Sequence, residues 1–274
     1  MPFIEIPNGI KIHYESTGEG FPLVFVHGWC MSSRVWRYQA EAFASSYRLV
    51  TVDLRGHGES SGAGAGFDFD GFAADIAYLF ARLDLREASV IGWSMGVQIA
   101  LRAFSALRDR IASLVLVGGT PKFSASDDYP CGLPLSETRG MAIRLKRNYV
   151  KTMGDFFKGM FAEGELSKEE YQRIVWEIVM GGRLPEPETA LKSLETLVSS
   201  DLRPLLPGID APVLLVHGSE DIITLPDASR FMARQLPRAT LKIFEGTGHA
   251  PFLSRPREFN ALAGSFLEEN YGRH

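Results

Sequence analysis

Val90-Ile91-Gly92-Trp93-Ser94-Met95-Gly96-Val97 is the stretch on which the reading of the fold turns. An apolar, β-branched approach (Ala88, Val90, Ile91) enters Gly-x-Ser-x-Gly, and a helix-like segment from Val97 to Phe104 leaves it. A serine on a sharp strand-to-helix turn needs small neighbours on both sides, because the backbone doubles back there. Such a turn raises the Ser94 hydroxyl. It also aims the Met95 amide, at the start of the new helix, where an oxyanion would develop. Glycine-bracketed serines also occur in ordinary loops, so the context has to come from elsewhere in the chain.

Outward from that stretch, strands and helices alternate. Pro22 to Val26 is a continuous apolar run, the mark of a strand buried on both faces, and it ends in His27-Gly28-Trp29-Cys30. Arg48 to Asp53 is a second such run, followed by the glycine-punctuated Arg55-Gly56-His57-Gly58-Glu59-Ser60. Ile111 to Val117, Val213 to Val216 and Leu241 to Phe244 add further strands. Phe72, Ile76, Leu79, Phe80 and Leu83 carry a helical period, and Asn8-Gly9 between Phe3–Ile6 and Ile10–Tyr14 signals a hairpin. This alternation predicts an α/β fold, a mostly parallel central sheet flanked by helices, with ligands at the carboxyl ends of its strands. Between Val117 and Pro212 the pattern changes to amphipathic stretches at 138–161, 167–180 and 187–199. They predict a helical cap (121–203) inserted after the sixth main strand of a core formed by 1–120 and 204–274.

Composition narrows the function classes. A chain of 274 residues with 45% hydrophobic content buries one large core more readily than two. Its formal charge of −4 argues against general nucleic-acid binding. Two cysteines, Cys30 and Cys131, are too few for a disulfide framework and fit a reducing compartment. The first residues carry neither a basic nor an apolar targeting region, and no apolar run reaches membrane-spanning length. The expectation is a cytoplasmic monomer with no membrane contact.

A serine hydroxyl is a poor nucleophile at neutral pH and needs a base, itself oriented by a third group. The base candidate is His249, in Gly246-Thr247-Gly248-His249-Ala250-Pro251, directly after the last strand. The acid candidate is Asp221, in His217-Gly218-Ser219-Glu220-Asp221, after the preceding strand, with Glu220 as its rival. The order Ser, Asp, His is that of α/β-hydrolases. His27 and His217 precede glycines at strand ends, where backbone hydrogen bonding is the commoner role. His13 lies in the hairpin, His57 in a turn and His274 at the terminus. Asp53 precedes the serine and is expected to be structural. The two oxyanion amides would be those of Met95 and Trp29. The Trp29 side chain either lines an acyl pocket or fills core. This chemistry calls for no metal and no organic cofactor.

At these residues the chain resembles the α/β-hydrolase superfamily over nearly its whole length. A closer likeness runs through His27-Gly28-Trp29, Val35-Trp36-Arg37, Gly92-Trp93-Ser94-Met95-Gly96, Thr120 to Ala125 with Asp127-Asp128, and Gly248 to Phe252 with Pro256 and Glu258-Phe259. There it resembles the pimeloyl-acyl-carrier-protein methyl ester esterases of biotin synthesis. The resemblance implies hydrolysis of a methyl ester on a carrier-bound pimeloyl chain, with Ser94, Asp221 and His249 as triad and Trp29 and Met95 at the oxyanion hole. Two positions depart from the pattern: Cys30 and Val97 stand where glycine is common.

The cap offers a separate signal. From Arg139 to Lys158 there are six basic residues and one acid, Asp155, in a chain acidic overall. On a single helix, Arg144, Arg147, Lys151 and Lys158 fall within about 60° of one another. Tyr149, Met153, Phe156 and Phe157 lie opposite. Such a face suits docking of an acidic carrier protein, or is simply solvated. The rival functions are a generalist carboxylesterase, lactonase or carbon–carbon bond hydrolase, and a non-catalytic ligand sensor on the same fold. Dehalogenases and epoxide hydrolases resemble this fold with an aspartate in place of Ser94.

Overall fold

The computed structural model describes residues 2–7, 9–62 and 66–271. Asn8, within the expected hairpin turn, and His274 lie outside them. Eight strands form one sheet: β1 (Phe3–Glu5), β2 (Lys11–Thr17), β3 (Pro22–Val26), β4 (Arg48–Val52), β5 (Ala88–Trp93), β6 (Ile111–Val117), β7 (Val213–Gly218) and β8 (Ala239–Phe244). Their spatial order is β1-β2-β4-β3-β5-β6-β7-β8, with β2 antiparallel to both its neighbours and every other pairing parallel.

The helices are α1 (Arg37–Phe43), α2 (Phe69–Arg82), α3 (Met95–Leu107), α4 (Leu135–Arg147), α5 (Tyr149–Lys158), α6 (Lys168–Ile174), α7 (Pro187–Ser199), α8 (Pro226–Gln235), α9 (Pro251–Ser254) and α10 (Pro256–Asn270). Strands β5, β6 and β7 are buried at every residue, as expected of runs lacking polar alternation. Asp68 starts α2 by accepting a hydrogen bond from the Gly71 amide at 2.7 Å. Phe69, Phe72, Ile76, Leu79 and Phe80 then form its buried face. This packing fixes the strand ends, and with them the loops that carry Trp29, Ser94, Asp221 and His249.

Between β6 and β7 the named elements are all helical. The single helix expected over 138–161 is instead two. Asn148 leaves the helical region (φ −155, ψ 88), and its side chain accepts from the Lys151 amide to begin α5. Gly154 sits within α5 without breaking it. The common face drawn through Arg144, Arg147, Lys151 and Lys158 therefore fails, because the first two lie on α4 and the last two on α5. All four are exposed, and Lys151 pairs with Asp155 at 2.6 Å. The apolar side of α5 is as expected: Met153 and Phe157 are buried, Tyr149 and Phe156 partly so. The stretch 167–180 begins as α6 and widens into a π-helical turn, Val175–Met180.

Candidate active site

Ser94 joins β5 to α3 with φ 55 and ψ −118, backbone angles that side chains seldom tolerate. Its amide donates to the Val117 carbonyl at 2.9 Å, pinning the turn to β6. The flanking glycines are sterically required. A Cβ on Gly92 would lie 2.6 Å from the Gly96 carbonyl oxygen, and one on Gly96 only 2.2 Å from that of Val26. Met95, as the first helical residue, has an amide with no acceptor inside the helix.

Trp29 follows β3 and is buried. Its indole donates to the Ala190 carbonyl of α7 at 3.0 Å and meets Phe156 edge-on at 5.0 Å. It also lines the cavity at Ser94, so its side chain serves the pocket as well as the packing. The two departures have local causes. Cys30 adopts φ 56, a conformation that costs any side chain about 1–2 kcal/mol, which is why glycine is common there. Val97 abuts Gly119, where even a Cβ would lie 2.5 Å from the valine side chain.

Asp221 and His249 are joined directly, His249 Nδ1 lying 2.7 Å from Asp221 Oδ2, with both side chains fully buried. Oδ1 accepts from the amides of Ile223 and Thr224 at 2.8 and 3.0 Å. The Thr224 hydroxyl lies 2.9 Å from Oδ2 and 2.8 Å from the Gly118 carbonyl. Burial works to raise the Asp221 pKa. The attraction of His249 and the hydrogen bonds from His217 and His249 outweigh it, holding the carboxyl well below the usual range. Glu220, the rival acid, is exposed.

His249 is fixed from outside the sheet as well. Its amide donates to the Met160 carbonyl at 2.7 Å. Glu165 Oε2 accepts from the Gly248 and Ala162 amides at 2.8 and 2.6 Å. The helical segment is thus latched to the histidine loop. The ring packs 5.3 Å from that of Trp93, the neighbour of Ser94. Its Nε2 is buried without a hydrogen-bond partner among the described residues, so Ser94 is not bonded to it in this arrangement. Catalytic hydrogen bonds of this kind commonly tighten only when substrate binds.

The other described histidines have structural partners. His27 donates to the Gly28 carbonyl and accepts from the Leu54 amide. His57 contacts the Arg55 carbonyl, and burial pushes its pKa down to about 3. His13 joins Asp53, which also accepts from the amides of Ser33 and Glu59. His217 bonds the Thr224 carbonyl at 2.7 Å, as its strand-end position suggests. It also touches Asp221 Oδ2 at 3.1 Å, a role that sequence reasoning missed although the four-residue spacing was visible.

Two adjoining spaces lie on the Ser94 side of the sheet, of which only the inner one reaches Ser94. An inner cavity of about 20 Å³ is bounded by Trp29, Ser94, Met95, Gln98 and Leu194. An outer chamber of about 390 Å³ shares Phe123, Met141, Phe156 and Ile223 with it, and its rim carries the exposed Glu137, Arg144 and Ile222. No group of metal-ligating side chains occurs among the described residues. No described helix is long and apolar enough to cross a membrane.

This geometry has close counterparts. The sequence model of the alpha/beta hydrolase fold matches residues 22–256. A pimeloyl-acyl-carrier-protein methyl ester esterase of Nitrosomonas europaea is 38% identical over 251 residues, covering 91% of this chain and 96% of the relative. One of the same name from Nitrosospira multiformis is 32% identical, covering 92% and 96%. Among solved structures, an esterase of Exiguobacterium antarcticum superposes with a TM-score of 0.90 at 28% identity, covering 97% and 98%. The chain belongs to the alpha/beta hydrolase family and, within it, to the family of the pimeloyl-acyl-carrier-protein methyl ester esterases.

Proposed function

We propose that this protein is a serine carboxylesterase that cleaves the methyl ester of a pimeloyl chain borne by acyl carrier protein. The observation that carries the reading is Ser94, held at a strained turn between an apolar two-part cavity and the buried Asp221–His249 pair. Ser94 Oγ attacks the ester carbonyl while His249 Nε2 takes its proton, and Asp221 stabilises the imidazolium. The amides of Trp29 and Met95 hold the oxyanion. His249 then protonates the departing methoxide, and a water activated by His249 hydrolyses the acyl-enzyme. Every step uses side chains and backbone of this chain, without metal or organic cofactor.

Residues 121–203 act as a cap over the core formed by 1–120 and 204–274, and the acyl chain lies in the outer chamber beneath it. The rim residue Arg144, with Arg147 and Lys158, supplies positive charge for an acidic carrier. Lys151 contributes less, being paired with Asp155. The two free cysteines accord with a cytoplasmic enzyme.

The test is kcat/KM for the carrier-bound methyl ester against a short p-nitrophenyl ester, with complementation of a biotin-requiring strain that lacks such an esterase. A strong preference for the carrier-bound ester, and rescue by wild type but not by Ser94→Ala, are the expected results. Rescue by Ser94→Ala refutes the mechanism. Preference for the free ester makes the enzyme a generalist.

A further inference from the structure

Gln98 lies one turn beyond Ser94 on α3, about 6 Å along the axis. It is 1% exposed and lines the inner cavity. Its amide Nε2 has no hydrogen-bond partner among the described residues. Burying an amide unpaired is unfavourable, and native structures seldom do so without a reason. The walls around it are apolar: Trp29, Met95, Leu194 and Leu197. The polar neighbours are Ser94, whose hydroxyl is the proposed nucleophile, and Thr224, whose hydroxyl is engaged with Asp221 and Gly118. A donor kept free in such surroundings calls for an oxygen that arrives with the ligand.

Size identifies that oxygen. About 20 Å³ admits one or two heavy atoms, against about 390 Å³ in the outer chamber. In the proposed reaction, on which this step rests, the acyl chain runs through the outer chamber and the carbonyl oxygen turns toward the Trp29 and Met95 amides. The alkoxy group is then left against Gln98. We infer that the inner cavity is a leaving-group subsite for a small alkoxy group, methoxy, whose oxygen accepts a hydrogen bond from the Gln98 side chain. A propoxy or larger group would strike Leu194 and Leu197.

Gln98→Met keeps the volume and removes the donor. Its kcat/KM is compared with wild type on an O-methyl ester and on the S-methyl thioester of the same acid, whose sulfur is a weak acceptor. The expected result is a loss of about tenfold on the ester and less than twofold on the thioester. Gln98→Ala, which enlarges the cavity, should narrow the preference for methyl over propyl esters. Thermal melts check that each variant is folded, and Gln98→Leu replaces any that is not. Equal losses on ester and thioester, or no loss on either, overturn the subsite. Wild type hydrolysing neither compound refutes the esterase reading itself, and the subsite with it. Wild-type turnover with no ester-specific loss leaves that reading standing and removes only the subsite.

Discussion

Replacing Ser94 by glycine removes the proposed nucleophile and, on the structure, also removes a strained backbone. At φ 55 and ψ −118 the residue lies outside every region that a side chain adopts freely. Such strain costs about 1–3 kcal/mol. Glycine relieves it but loses about 0.5–1 kcal/mol to the greater freedom of the unfolded chain. Ser94→Ala is the proper reference, because it also lacks Oγ while keeping Cβ and hence the strain. The glycine variant should therefore be more stable than the alanine variant by ~1 kcal/mol, or about 2–4 °C in Tm for a chain of this size. Urea unfolding of both variants, compared at equal slope, measures the difference. Both should lack esterase activity. A glycine variant no more stable than the alanine variant would refute the claim that this turn stores strain.

Asp221→Asn preserves the shape of the acid but not its charge, and should lower kcat by about 10⁴-fold through the wrong imidazole tautomer. Steady-state rates across pH check this, and a loss under tenfold would remove Asp221 from the mechanism. Asp53 gives a pH prediction. Burial works to raise its pKa, but the hydrogen bonds from His13 and from the amides of Ser33 and Glu59 hold it below the ordinary value. Its stabilisation is complete above the unfolded pKa of about 3.9 and is lost as pH falls toward the folded value. Asp53→Asn should therefore flatten the fall in unfolding free energy between about pH 4 and pH 2, read from urea titrations at each pH. On the proposed carrier docking, reversing a charge on α4, Arg147→Glu, should raise KM for the carrier-bound ester about tenfold more than for a free diester. Added salt should shrink that difference.

The parts of the fold legible in the sequence are those whose physics is local. Pro22–Val26 and Ile111–Val117 read as strands because central parallel strands, buried on both faces, leave no polar alternation. Ser94 was legible because Gly92 and Gly96 are sterically forced. Asp221 and His249 were legible because each directly follows a strand in the expected chain order. The break at Asn148 escaped because the apolar period runs across it. An asparagine able to cap a new helix was its one local sign. The contact of His217 with Asp221 and the unpaired amide of Gln98 escaped for another reason. Both depend on which face a side chain takes once distant segments have packed, and in sequence each resembles an ordinary strand-end or helix residue.

The latch at Met160 and Glu165 constrains how a substrate gains entry. The Met160 carbonyl holds the His249 amide and the Glu165 carboxylate holds the Gly248 amide, so on the proposed function a cap hinging open there would pull on His249 and its bond to Asp221. On the proposed function, substrate is expected to enter over the exposed rim of the outer chamber, at Glu137, Arg144 and Ile222, while 160–165 stays seated.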